Sequence, residues 1–178
     1  RAFVNKRISG PDRLLTSFPP VVGSTPHTLI LGSMPGERSL REQRYYAFPQ
    51  NSFWSIMATI CGFPVDADYP ARLEALKQAG FALWDVLQQC EREGSLDSAI
   101  AAQTEIPNRI IELLDEHRTI DRICFNGAKA EESFRRHLLD KLPEKRAFTF
   151  IRLPSTSPAY ASMRFAEKLE LWRDSLLR

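Results

Sequence analysis

TLILGSMPG, residues 28–36, decides the fold of this chain, and YYAFPQNSFW, residues 45–54, follows it closely. The first stretch is a short apolar run that stops at a glycine and enters a polar turn with proline and glycine. Such a run is typical of a buried parallel strand in an open α/β sheet. Ligands of these sheets bind beyond the carboxyl ends of the strands. The stretch therefore predicts both the centre of the fold and the floor of a binding site.

Three further apolar runs are predicted to be strands. They lie at residues 81–84, 120–125 and 147–153. Helical segments separate the runs, so we expect parallel pairing with right-handed crossovers. The predicted fold class is α/β, with three layers in which helices cover both faces of a four-stranded parallel sheet.

Prolines and helix-capping residues predict the structure of the peripheral segments. Residues 1–178 suit a single domain with one substantial core. Residues 1–27 hold four prolines and are expected to form an irregular segment packed on that domain. Residues 95–100 are predicted to form a short capped helix, and Pro107 to open another helix.

Composition argues against several kinds of protein. No apolar run approaches the length of a membrane span. The three cysteines are widely spaced and odd in number, which argues against a disulfide framework and indicates the cytoplasm. The three histidines show no metal-type spacing. We therefore expect a cytoplasmic protein with no cofactor, no metal and no membrane association.

Charge is unevenly distributed along the chain. Residues 1–50 hold seven basic and three acidic side chains, residues 51–125 hold six and twelve, and residues 126–178 hold eleven and seven. If the two ends of the chain meet on one face, that face is basic and suits a polyanion such as nucleic acid. Solvated helix faces explain the same blocks, and on charge alone that interpretation is favoured.

Asn51 and the aromatic side chains near it suit a nucleobase. A carboxamide donates and accepts hydrogen bonds without titrating, so it can hold a water or a base edge. Tyr45 and Tyr46 precede a proline turn and are the predicted exposed rings, whereas Phe53 and Trp54 suit the core of the following helix. Stacking combined with amide hydrogen bonding is how a flipped base is held.

Polar groups also follow the other predicted strands. Asn126 precedes Gly127, and the stretch LPSTSPA at 153–159 is rich in hydroxyls that suit phosphate. Both stretches are also ordinary turn chemistry. Asp85 follows the strand at 81–84, where it could bond either a backbone turn or the site. The sequence leaves these alternatives open.

Four motifs in this order resemble those of the uracil-DNA glycosylase superfamily, and within it the hypoxanthine-DNA (deoxyinosine) glycosylase branch. They are LGSMPG at 31–36, YYAFPQNSFW at 45–54, FNG at 125–127 and LPSTSPA at 153–159. The resemblance implies a sheet in which the strands lie in the order second, first, third, fourth. It also implies a groove for DNA and a pocket for an extrahelical base.

The resemblance further implies roles for individual residues. Asn51 and Asn126 match the catalytic asparagines, and Tyr46 matches the ring that stacks on the flipped base. Met34 stands where the mismatch-specific uracil branch has the asparagine that positions water, so hypoxanthine is favoured over uracil. The other implied contacts are with the base at Gly32, Ser33, Met34 and Phe53, and with DNA at Pro154, Ser155, Thr156, Ser157 and Pro158.

The implied function is DNA repair by hydrolysis of the N-glycosidic bond of a deaminated base. The reaction would leave an abasic site without strand cleavage, and Lys129 is only a weak candidate for Schiff-base chemistry. The expected partner is DNA that contains the damaged base, and the expected state is a monomer. The alternatives are a uracil or G/U mismatch-specific glycosylase, a lesion-binding module without chemistry, and a protein that binds a small nucleotide.

Overall fold

The computed structural model describes residues 14–178 of the chain. The part of the predicted irregular segment at residues 1–13 lies outside the described residues. A four-stranded parallel sheet forms the centre. Its strands are β2 (Thr28–Gly32), β3 (Phe81–Asp85), β6 (Arg122–Asn126) and β7 (Thr149–Leu153), and their order is β3-β2-β6-β7. In order of appearance these are the second, first, third and fourth strands, which confirms the predicted order.

Helices cover both faces of this sheet. They are α1 (Glu37–Glu42), α2 (Phe53–Cys61), α3 (Tyr69–Gln78), α4 (Ile110–Glu116), α5 (Ala128–His137) and α6 (Phe165–Leu176). Leu29 and Leu31 of β2 pack in one apolar core with residues of α4 and α5, whereas Ile30 packs in another core with α2, α3 and α6. Alternate residues of a strand point to opposite faces, so one buried strand supplies both cores. The predicted α/β architecture of three layers is confirmed.

A second, small sheet corrects the prediction for the periphery. It is antiparallel and joins β1 (Leu14–Thr16), β4 (Leu87–Glu91) and β5 (Ile106–Pro107) in the order β1-β4-β5. Residues 14–16 are therefore a strand within the segment predicted to be irregular. Pro107 ends β5, and the helix predicted to begin there begins at Ile110. A two-residue strand offers too little periodicity to be separated from a turn.

The predicted helix at residues 95–100 is also shorter than expected. A single 3₁₀ turn at Asp97–Ala99 occupies this stretch. The turn lies in the connection between β4 and β5, and that connection reaches the edge where the parallel strands end. Gly32 and Asp85 are paired at that edge, as are Asn126 and Leu153. The loops that follow all four strands therefore meet there.

Candidate base-binding site

A cavity of about 1090 Å³ opens at the carboxyl edge of the parallel sheet. Segments from five parts of the chain line it, within residues 33–41, 45–51, 95–102, 126–132 and 155–160, together with Asp85. This edge is where an open α/β sheet places its ligand. The volume exceeds that of a single nucleobase, so the cavity has room for a base together with part of its sugar and phosphate.

Tyr46 lines the cavity and is half-buried. Its ring stacks on Phe53 with centroids 4.0 Å apart and planes 25° apart, and Phe53 is fully buried. The backbone of Tyr46 has a positive φ of 53°. A tyrosine in this left-handed conformation costs on the order of 1 kcal/mol, and such costs often occur at functional sites. The ring is therefore held from behind, with its other face available for stacking.

Two aromatic expectations need correction. Phe53 does not line the cavity, because its ring lies behind that of Tyr46 in the core, so it supports the site from below. Tyr45 was expected to expose its ring but is only 4% exposed. Its hydroxyl donates to the carbonyl oxygen of Pro19 at 2.7 Å. Neighbouring tyrosines thus take different environments, since the positive φ of Tyr46 turns the chain between them.

Asn126 connects Tyr46 to the loop after β7. Its Nδ2 donates to the Tyr46 hydroxyl at 3.1 Å and to Thr156 Oγ1 at 3.0 Å. Its Oδ1 accepts from the Thr156 backbone N–H at 3.0 Å. Both ends of the carboxamide are therefore engaged inside the protein. The resemblance implies a catalytic role for Asn126, and these contacts favour a role in positioning the ring and the loop over direct contact with a base.

Asn51 lies half-buried in the cavity wall. Its Oδ1 accepts from the Phe53 N–H at 3.0 Å, which fixes the side chain at the start of α2. Within the described part of the chain, its Nδ2 has no hydrogen-bond partner. The amide nitrogen is therefore free to donate to a water or to substrate while the oxygen holds the side chain in place.

The loop after β2 forms another wall of the cavity. Ser33 Oγ donates to Asp97 Oδ1 at 2.5 Å, and Met34 lies beside it. Gly32 itself does not line the cavity, but it makes the site possible. A Cβ there would overlap Asp85 Oδ1 and would lie 2.9 Å from the Tyr46 hydroxyl oxygen. Any side chain at this position would displace both groups.

The loop after β7 forms the rim. Residues 155–158 line the cavity, whereas Pro154 does not. The carbonyl oxygen of Pro154 accepts from Trp172 Nε1 at 2.9 Å, and this bond anchors the base of the loop to α6. The carbonyl oxygen of Thr156 accepts from the Ser52 N–H at 3.0 Å. The loop that holds the predicted DNA contacts is thus fixed at Pro154 and Thr156 to α6 and to the start of α2.

Asp85 is the cavity residue for which the sequence left two roles open, a bond to a backbone turn or a place in the site. It is 3% exposed, and its Oδ2 is buried without a hydrogen-bond partner among the described residues. Burial, with a further contribution from Asp97, raises the pKa of Asp85 from its ordinary 3.8 to about 7, against an opposing effect of Arg92. Burial also raises the pKa of Asp97. Asp85 pairs with Gly32 at the ends of the parallel strands, the edge at which the sequence placed it.

The raised pKa of Asp85 predicts how stability depends on pH. Between the unfolded value of 3.8 and the folded value of about 7, the folded protein keeps a proton that the unfolded chain has lost. Stability therefore falls as pH rises through this window. We expect Asp85→Asn to raise Tm by several degrees at about pH 8 and by less at about pH 5. Thermal unfolding at both pH values measures this, with the exposed Asp66→Asn as control. An equal gain at both pH values would contradict it.

Lys129, the candidate for Schiff-base chemistry, lines the cavity but has an acidic partner. Lys129 Nζ lies 2.9 Å from Glu105 Oε2, so this amine is ion-paired. Within residues 14–178 no cluster of three or more His, Cys, Asp or Glu side chains has a geometry suited to a metal ion. The helices described there include none long and apolar enough to cross a membrane.

Comparison with known proteins gives consistent matches. The sequence profile of the uracil DNA glycosylase superfamily matches residues 19–176. Two proteins named hypoxanthine DNA glycosylase, from Methanosarcina barkeri and Methanosarcina acetivorans, are each 40% identical over 116 residues, which is 65% of this chain and 72% of theirs. A solution NMR structure from M. acetivorans, described as a candidate uracil DNA glycosylase, superposes with a TM-score of 0.74 at 31% identity. That match covers 93% of this chain and 99% of the other.

The profile spans most of the chain and includes every segment that lines the cavity. The fold, with four parallel strands in the predicted order, agrees with the solved structure. This chain therefore belongs to the uracil DNA glycosylase superfamily.

Proposed function

We propose that this protein is a DNA repair glycosylase that hydrolyses the N-glycosidic bond of hypoxanthine flipped out of DNA and leaves an abasic site. The observation that carries the proposal is the convergence of Tyr46, Asn51 and Asn126 on one cavity at the carboxyl edge of the sheet. The two relatives named hypoxanthine DNA glycosylase support this choice of base. The chain would act as a single domain and as a monomer in the cytoplasm.

In the proposed mechanism the base enters the cavity and stacks on the free face of Tyr46. Base–aromatic stacking contributes about 1–3 kcal/mol, which offsets part of the energy needed to unpair the base. Asn126 keeps the Tyr46 hydroxyl and the rim loop in place. The Tyr46 ring and the rim loop are thereby fixed before the nucleotide binds. Binding therefore costs little conformational entropy at these two surfaces.

Hydrolysis then needs a water on the far side of C1′ from the base. Asn51 suits this role, because it lies half-exposed in the wall and its Nδ2 is free to orient a water. As the C1′–N bond breaks, positive charge grows on the sugar and negative charge on the base. The proposed enzyme uses no Schiff base, since Lys129 is held by Glu105. It is therefore expected to leave the DNA strand intact.

The test of this function is release of the free base from synthetic duplexes. We expect purified protein to release hypoxanthine from a deoxyinosine duplex faster than it releases uracil from a deoxyuridine duplex. Faster release of uracil would favour the second candidate, a uracil glycosylase, to which the solved structure described as a candidate uracil DNA glycosylase points. Binding to both duplexes without release of either base would contradict an enzyme and support a lesion-binding module.

Binding to DNA is expected to weaken with salt. Basic side chains at the cavity wall, among them Arg38 and Arg41, would contact phosphates and release counterions. We expect affinity for duplex DNA to fall at least about tenfold between roughly 50 and 200 mM salt. Arg41→Ala should reduce the slope of this dependence by about one, whereas the exposed Arg118→Ala should not change it. Affinity that is insensitive to salt would argue against the proposed groove.

A further inference from the structure

Asp85 lies at the floor of the cavity, where neighbouring residues fix its backbone and leave space for its carboxyl group. It ends β3, and the Nδ2 of Asn108 donates to its backbone carbonyl at 2.8 Å. The missing side chain at Gly32 leaves the space that the Asp85 carboxyl occupies. Despite this, no described residue donates a hydrogen bond to its buried Oδ2. A buried carboxyl oxygen without a hydrogen-bond partner is unfavourable unless the group is protonated or a ligand donates to it.

The charges that face Asp85 favour its neutral form. Asp97, on the connection between β4 and β5, adds a second carboxyl, and Tyr45 and Tyr46 add only neutral phenols whose pKa values are raised, chiefly by burial. Arg92 is the cation that opposes the raised pKa of Asp85, and both Arg92 and Lys129 lower the pKa of Asp97 against its burial. The Nε and Nη2 of Arg92 donate to the carbonyl oxygens of Gly94 and Pro35, at 2.8 and 2.7 Å. Its Nη1 is buried without a hydrogen-bond partner among the described residues. Burial and the Asp97 carboxyl nevertheless outweigh Arg92, so the pKa of Asp85 is raised and its neutral form is favoured.

The depth of a residue in the cavity determines which part of a bound nucleotide it would contact. Asn51 is half-exposed, whereas Asp85 is 3% exposed. A flipped nucleotide stays attached to DNA through its sugar, so the edge of the base opposite the glycosidic bond enters deepest. In hypoxanthine that edge carries the carbonyl oxygen O6 that deamination has created. Asp85 would therefore meet O6, while Asn51 would lie near C1′.

We propose that Asp85 is a catalytic residue that acts as a neutral carboxylic acid and donates a hydrogen bond to the carbonyl oxygen of the leaving base. This inference rests on the proposed function and adds a group that acts on the base. The electron pair of the C1′–N bond passes to the base, and part of its charge reaches the carbonyl oxygen. A fixed O–H donor stabilises that charge in a water-excluded site, and the proton stays on Asp85 throughout. A carboxylate at this position would repel the negative charge that develops on the leaving base.

Two variants separate this role from simple packing. Asp85→Ala removes the donor, whereas Asp85→Asn keeps an N–H donor that does not titrate. The substrate pair is deoxyinosine and deoxynebularine, a purine nucleoside with hydrogen in place of O6. We expect the ratio of kcat/KM for deoxyinosine over deoxynebularine to fall on the order of a hundredfold in Asp85→Ala. Asp85→Asn should retain most of that ratio.

The pH profile supplies a second readout. We expect wild-type kcat/KM for deoxyinosine to decline as pH rises past about 7, where Asp85 loses its proton. Asp85→Asn should lack this decline. An unchanged substrate ratio in Asp85→Ala, or a decline that persists in Asp85→Asn, would overturn the inference while hypoxanthine release still upheld the proposed function. Failure of the wild-type protein to release hypoxanthine would overturn both.

Discussion

Asn51→Ala is expected to lower the single-turnover rate of hypoxanthine release about 100- to 1000-fold. The carboxamide is fixed by the bond from the Phe53 N–H, so in the proposed mechanism its Nδ2 would orient the attacking water. Without it the water loses its orientation toward C1′, and a misplacement of about 1 Å can cost about a hundredfold. Binding of the duplex should change little, because Asn51 is expected to act mainly as the bond breaks.

The control for this variant lies next to it in the chain. Gln50 carries the same functional group but is exposed and does not line the cavity. Gln50→Ala should therefore keep the wild-type rate. Loss of the Asn51 side chain also removes a contact at the start of α2 and should lower stability by about 1 kcal/mol. Full activity in Asn51→Ala, with folding verified by thermal unfolding, would remove Asn51 from its proposed role.

Asn126→Ala is expected to damage both stability and activity. It removes three hydrogen bonds, two with Thr156 and one with Tyr46. The backbone N–H of Thr156, a residue only 1% exposed, would then be buried without its acceptor, at a cost of about 1–3 kcal/mol. The ring of Tyr46 and the rim loop would lose their common anchor. We expect single-turnover release to fall on the order of a hundredfold.

Thr156→Val is the matched variant for this prediction. It removes the Oγ1 acceptor but keeps the backbone N–H that donates to Asn126 Oδ1, and Asn126 keeps its bond to Tyr46. Its effect on rate should stay below about tenfold. Denaturant unfolding and single-turnover assays of both variants make the comparison. If Asn126→Ala proved no more damaging than Thr156→Val, the anchoring role of Asn126 would be wrong.

The centre of the fold could be predicted because its signals are local. The apolar run of β2 is fully buried and ends at Gly32, as its composition indicates. Once four strands alternate with helices, parallel pairing and a common carboxyl edge follow from the handedness of crossovers. The small antiparallel sheet could not be predicted, because β1 and β5 have three and two residues and pair with β4 at long range.

The site could be predicted only in outline. Topology places Asn126 and the loop after β7 at the same edge of the sheet. The hydrogen bonds that occupy both ends of the Asn126 carboxamide depend on tertiary packing, which no sequence motif indicates. The split between Tyr45 and Tyr46 depends on one positive φ at a residue other than glycine. Asp85 and Asp97 lie twelve positions apart in sequence, and their proximity depends on the path of the connection between β4 and β5. Long-range electrostatics of this kind has no local signature.

The most direct test of the account is a crystal structure of Asn51→Ala bound to a duplex that contains one deoxyinosine. We predict that the inosine base lies outside the helix, stacked on the free face of Tyr46, with O6 within hydrogen-bonding distance of Asp85. The position of residue 51 should lie near C1′. A base that remains stacked in the duplex, or that occupies a different surface of the protein, would contradict the central claim.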